Sequence, residues 1–120
     1  MKKVVSTIVG SVLLMAMTAL PAYAADTTVP SDVENVQAEA LNATVSLAWD
    51  AATDNTAVTG YQVYYGLTSV TETGQSYDEH VDVGNVLEYT VDELTNDTTY
   101  YFSVIAYDAA GNESASWAKE

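Results

Sequence analysis

The sequence contains no cysteine and no arginine, and among its 120 residues it has two prolines, one histidine (His80) and one phenylalanine (Phe102). Without cysteine there is no disulfide, no thiolate metal site and no lipid-modified anchor, so a small domain must be held by packing alone. Three cationic side chains, Lys2, Lys3 and Lys119, face seventeen carboxylates, a formal charge of −14. Such a surface repels phosphate backbones and anionic lipid heads, which excludes nucleic-acid binding as a function class. A lone histidine leaves no second imidazole for a histidine metal site, and there is no thiol for it to activate. Beyond the amino-terminal stretch there is no convincing amphipathic helix.

The first 24 residues differ in kind from the rest. Met1-Lys2-Lys3 is a short basic start, Val4 to Leu20 is almost wholly apolar, and Ala22-Tyr23-Ala24 is a small-x-small pattern. Together these define a secretory signal peptide over 1–24, and the apolar run is short for a retained span. Removal leaves Lys119 as the single cation against all seventeen carboxylates, a formal charge of −16. The expected location is outside the cell, or at its surface through a partner, with no membrane insertion after cleavage.

Residues 25–32 (ADTTVPSD) are small, polar and broken by Pro30, and so form an extended lead-in. A single domain is expected over 33–118. Thr44 to Trp49 alternates, with Val45, Leu47 and Trp49 on one face. In Gly60 to Gly66 the residues Tyr61, Val63 and Tyr65 share a face. Tyr77 to Val83 mixes charge with Val81 and Val83, the pattern of an edge strand. Gly84-Asn85 makes a turn, and Leu87, Tyr89 and Val91 alternate again. In Tyr100 to Tyr107 both faces are apolar or aromatic, as in a strand covered on both sides. Asp108 to Asn112 (DAAGN) is turn chemistry. About seven short strands with regular turns imply an all-β, antiparallel two-sheet sandwich.

Trp49, the run Gly60-Tyr61-x-Val63-x-Tyr65, the run Leu94-x-x-x-Thr98-x-Tyr100-x-Phe102-x-Val104-x-Ala106 and the following Gly-Asn-Glu-Ser turn resemble a fibronectin type III domain. In particular they are similar to modules of secreted bacterial enzymes and surface proteins. The resemblance spans roughly Val33 to Trp117. It implies an immunoglobulin-like sandwich, a Trp49 buried in the core, a structural role for Tyr61, and a corner tyrosine at Tyr100 whose hydroxyl bonds to the backbone near Leu94. Two departures stand out. No Arg-Gly-Asp follows Tyr107, which excludes adhesion through that motif. Thr95-Asn96-Asp97 stands where the family often has proline, which implies a looser bend.

Four sets of residues are candidates for function. His80 in DEHVD fits a solvent-facing edge strand better than a catalytic base. Paired carboxylates able to hydrolyse glycosides are outweighed by the close pairs that seventeen acids produce by chance. Asp50, Asp54, Asn55, Asp108 and Asn112 come from loops expected at one end of the sandwich and offer oxygen ligands for calcium, the one cofactor the residues admit. Asp and Asn also serve turns for backbone reasons alone. Tyr64, Tyr101 and Tyr107 lie opposite the core set and, with Trp117, form a candidate binding face for carbohydrate or protein. Outward tyrosines are equally ordinary strand residues.

The function these features imply is a secreted, non-catalytic module acting as a spacer or a protein-interaction domain, monomeric because like charges repel. The alternatives are a carbohydrate-binding accessory domain of a polysaccharide-degrading system and an amino-terminal piece of a larger extracellular protein. Its partner would be an extracellular protein or a polysaccharide.

Overall fold

The computed structural model describes residues 24–70 and 75–115. The signal-peptide expectation, apart from Ala24, and the expectation for Trp117 lie outside these residues. Among the described residues there are six strands and no helix: β1 (Gln37–Leu41), β2 (Thr44–Ala48), β3 (Val58–Gly66), β4 (Glu79–Gly84), β5 (Glu88–Val91) and β6 (Tyr101–Asp108). They form two three-stranded sheets, ordered β1-β2-β5 and β4-β3-β6, with every pairing antiparallel. This is an all-β sandwich of two antiparallel sheets.

The core lies where the inward faces of the two sheets meet. Period-two alternation places Leu47 and Trp49 of the first sheet against Tyr61, Val63, Phe102, Val104 and Ala106 of the second, with Val33 and Val91 closing the cluster. Leu47, Val63, Val104 and Ala106 are fully buried. Burying an aliphatic side chain of this size contributes about 1.5–3 kcal/mol. The Trp49 and Tyr61 rings pack at 5.6 Å and 56°, and Tyr65 stacks on Phe102 at 5.9 Å. Each aromatic contact adds about 0.5–1.5 kcal/mol beyond its area. The Tyr61 hydroxyl emerges at the edge of the core and accepts the Ala52 N–H at 3.0 Å, anchoring the β2–β3 loop.

On the outer face of β6 the sequence pattern divides. Ser103 and Ile105 are buried, whereas Tyr101 and Tyr107 at the two ends are half-buried. The strand is thus covered on both sides only in its middle. Leu87 differs from its expected place: it lies outside β5 and is exposed, while its carbonyl accepts the Trp49 N–H at 3.0 Å. After β6 the chain turns and returns antiparallel, with an isolated bridge between Tyr107 and Glu113 and a hydrogen bond from the Ser114 N–H to the Ala106 carbonyl.

The corner before β6 is tied at two points. The Thr95 N–H donates to the Tyr100 hydroxyl at 3.1 Å. Asn96 reaches across to the two-residue β1–β2 turn, where its Oδ1 accepts the Ala43 N–H at 2.8 Å and its Nδ2 donates to Asn42 Oδ1 at 2.8 Å. Ala43 adopts φ 54° and Asp97 φ 58°, so two strained turns are braced against each other. In place of a stiffening proline, a side-chain staple holds the bend. Asn96→Ala is expected to lower the unfolding free energy by about 1 kcal/mol. Asn96→Asp, which keeps the acceptor, should recover part of that loss, and urea unfolding of the two variants beside the parent measures both.

Candidate functional site

Two regions outside the core gather the residues singled out by the sequence. The first is the outer face of the β4-β3-β6 sheet. Cross-strand register sets Tyr64 beside His80 on one side and Ser103 on the other, and places Tyr101 opposite Gly66. The Tyr64 ring stacks on His80 at 5.1 Å and 16° and meets Tyr77 at 6.4 Å and 53°. Its hydroxyl donates to Gln62 Oε1 at 2.8 Å. Burial is the first cause that raises its phenol above the ordinary range, with the charge of Glu113 second. His80 is exposed, and its ring is stacked on an aromatic side chain.

Tyr107 is engaged differently. Its ring lies directly over Gly60, where an added Cβ would overlap the phenol oxygen and ring carbons. The hydroxyl donates to both Asp82 oxygens, at 2.8 and 3.0 Å. This hydrogen bond is the first cause that raises the Tyr107 phenol, followed by burial and the Asp82 charge. A latch therefore runs from β6 across β3 to the edge strand β4. The missing side chain at position 60 is what allows it, and a glycine opposite an aromatic in the neighbouring strand was the signal available in the sequence. Tyr64 and Tyr107 thus each engage a ring face and the hydroxyl within the sheet while remaining half-buried.

The second region is the end of the sandwich where the lead-in, the β2–β3 loop and the β6 turn meet. Carboxylate oxygens of Asp26, Asp54 and Asp108 lie within 4.8 Å of one another. Asp108 is buried and organises its turn: Oδ1 accepts the Ala110 and Asn112 N–H groups, both at 2.9 Å, and Oδ2 accepts Asn112 Nδ2 at 2.9 Å. The Asn112 side chain is the first cause that holds the Asp108 carboxyl below the usual range. That direction is opposite to what a general acid of glycoside hydrolysis requires. Asn112 Nδ2 also donates to the Asp26 carbonyl at 2.9 Å, and Asn55 Nδ2 donates to Asp26 Oδ1 at 3.1 Å.

Of the five residues expected to share this end, Asp54, Asn55, Asp108 and Asn112 are brought together. Asp50 is not among them: its Oδ2 accepts Asn35 Nδ2 at 2.7 Å and its N–H donates to the Glu34 carbonyl, so it is held against the segment between Val33 and β1. Asp26 takes its place, a residue that the sequence showed only as part of a polar tail. A separate recess between β1 and the segment before β6, lined by Ala38, Ala40, Val45, Thr98, Thr99, Tyr100 and Phe102, carries no ionisable group except the Tyr100 phenol.

A two-sheet antiparallel sandwich with a buried tryptophan, a tyrosine corner and polar end loops defines an immunoglobulin-like module. The fibronectin type III domain model matches residues 30–119, and the chain belongs to that family. It is 44% identical over 94 residues to chitinase A1 of Niallia circulans, covering 75% of this chain and 11% of that one. It is 42% identical over 92 residues to exoglucanase B of Cellulomonas fimi, covering 75% and 7%. Among solved structures it is similar to chitinase ChiA74 from Bacillus thuringiensis, with a TM-score of 0.63 and 35% identity over 78% of this chain and 13% of that one. The chain therefore matches a small part of each of these longer proteins.

The latch yields a pH-dependent expectation. A phenol raised in the folded state contributes stability that is fully present below its unfolded value near 10 and is lost as pH rises through the folded value. Tyr107→Phe should cost about 1 kcal/mol at neutral pH. The gap to the parent should close above about pH 10, as read by urea unfolding at pH 7 and in strongly alkaline buffer.

Proposed function

We propose that this chain is an exported, non-catalytic fibronectin type III module of a polysaccharide-degrading protein or system, where it acts as a spacer and docking surface rather than as a hydrolase. The observation that carries this reading is that closely similar segments occur as small parts of a chitinase and of an exoglucanase. Those two names denote different substrates, so what the shared segment contributes is independent of which glycosidic bond is cleaved. A sandwich of this kind offers stiffness, two ends for attachment and strand edges for pairing with other chains. Its acidic surface favours basic or cation-bridged partners and disfavours anionic ones.

The alternative, direct retention on polysaccharide by the outer tyrosines, would need rings with open faces. The stacking of Tyr64 on His80 and the seating of Tyr107 over Gly60 favour a structural role for both. Incubated with colloidal chitin and with amorphous cellulose, the chain is expected to release no reducing ends above the blank and to remain in the supernatant. Turnover would overturn the non-catalytic reading. Retention that is abolished by Tyr64→Ala and Tyr101→Ala would replace it with the carbohydrate-binding one.

A further inference from the structure

A two-sheet sandwich leaves backbone donors and acceptors unpaired along its outermost strands, and such an edge can pair with an extended segment of another chain. Here the outermost strands are β1 and β5 in one sheet and β4 and β6 in the other. They are not equivalent. All five residues of β1 are exposed, so it has no apolar row for an added strand to cover. β5 offers four residues. The far side of β6 is entered by the returning chain, through the Tyr107–Glu113 bridge and the Ser114 hydrogen bond to Ala106.

β4 differs from all three. It has six residues, and among the described residues no strand lies on its side away from β3. Its inward row carries Val81, opposite Val63, and Val83. Both pack against the core cluster, yet both are only half-buried. Tyr65, across from Glu79, is half-buried as well. The core is therefore incompletely closed along this edge.

The outward row is acidic. Asp82 lies opposite Gln62 and is held in place by the Tyr107 hydroxyl. Asp78, one residue before the strand, shares that face: its Oδ2 lies 2.8 Å from where a Cβ on Gly66 would stand. His80, between them, is turned onto Tyr64. Asp78, Glu79 and Asp82 are all exposed, and no lysine or arginine occurs between Lys3 and Lys119 to offset them. Charged side chains on an edge guard it against pairing, and the guard is selective when the charges share one sign. An acidic strand, including a second copy of this chain, is repelled, and a basic strand is attracted.

We infer that the open edge of β4 is a docking strand for an extended, basic segment of a partner protein. Period two fixes the pattern that such a segment needs: apolar residues along the Val81 and Val83 side, closing the core margin, and lysine or arginine along the Asp78 and Asp82 side. Backbone hydrogen bonds supply the pairing, and the alternate side chains supply the selection. Tyr61 pairs with Gly84 and Gln62 with Asp82, which leaves Val83 unpaired toward β3. Such a bulge twists the strand, so docking runs from Asp78 to Asp82 and stops there. This deepens the docking role proposed above and rests on it.

The test uses the chain, produced with its native leader and purified as processed in the cell, with three fluorescently labelled octapeptides at low salt. One alternates valine with lysine, and the second alternates valine with glutamate. The third repeats the first with all its backbone amides methylated, which keeps the charge and removes the strand's hydrogen-bond donors. Fluorescence anisotropy is expected to show binding of the first peptide, and binding of the other two at least about tenfold weaker. Hydrogen exchange in the complex should slow at the amides of β4 and stay unchanged at those of β1 and β5. Asp78→Asn should weaken the lysine peptide about two- to fivefold, whereas Glu39→Gln on the opposite sheet should leave its affinity unchanged. No binding of the first peptide, equal binding of the methylated one, or protection centred on another edge would overturn the inference. Protection of β4 that grows with the chain's own concentration in the absence of peptide would also overturn it, and would assign the edge to a second copy. The non-catalytic reading survives each of these results, since it fails only by turnover of chitin or cellulose.

Discussion

The antiparallel pairing of β3 with β6 is the contact on which the rest of the molecule depends. It runs from Val58 opposite Asp108 to Gly66 opposite Tyr101, the longest ladder in the structure. It delivers Tyr61, Val63, Val104 and Ala106 to one surface, against which Leu47 and Trp49 of the other sheet close. With no disulfide available, this apolar contact is the principal stabilising term, and the strand edges are arranged around it. The two ends of the ladder also set the surroundings of both candidate surfaces. At one end Tyr107 crosses Gly60 toward Asp82, and the next residue, Asp108, turns the chain and joins the carboxylate cluster.

Side-chain hydrogen bonds do the work that disulfides do in many small folds. Asn96 links the corner before β6 to the β1–β2 turn, Asp108 closes its own turn with three donors, and Tyr61 anchors the loop that carries Asp54. Not every polar group is served: the Trp49 indole N–H is buried without an acceptor among the described residues. That position is kept by the ring's packing against Tyr61 and not by its nitrogen. The family is defined by this frame, and relatives named for different polysaccharides share it, as expected if the frame supports function without performing chemistry.

Much of the frame was legible in the sequence because period-two alternation is dictated by the backbone. Val45, Leu47, Tyr61, Val63, Phe102 and Val104 announce their faces without knowledge of any partner strand. Edge character at Glu79–Gly84 was legible from charge mixed with Val81 and Val83. The site residues were harder to read. Asp26 joins Asp54 and Asp108 from a polar tail with no periodicity, so nothing local distinguishes it from the neighbouring Thr27 and Thr28. Asp50 was misplaced because a loop's first residue shares the direction of the strand before it, and here Asn35 and Glu34 hold it against the segment that precedes β1. The tyrosines were correctly put on the outer face, but their engagement by His80, Gly60 and Asp82 depends on cross-strand register, which alternation alone does not specify.

The central claim is that the two sheets form one cooperative body organised by the β3–β6 ladder, with the loops and lead-in as attachments. Native-state hydrogen exchange, resolved by residue, tests it most directly. The account predicts that the ladder amides of β3 and β6 exchange last, that those of β2 and β5 join them in a single global opening, and that the amides of Asp26 to Val29 exchange far earlier. Separate openings of the two sheets, or slowest exchange outside β3 and β6, would contradict it.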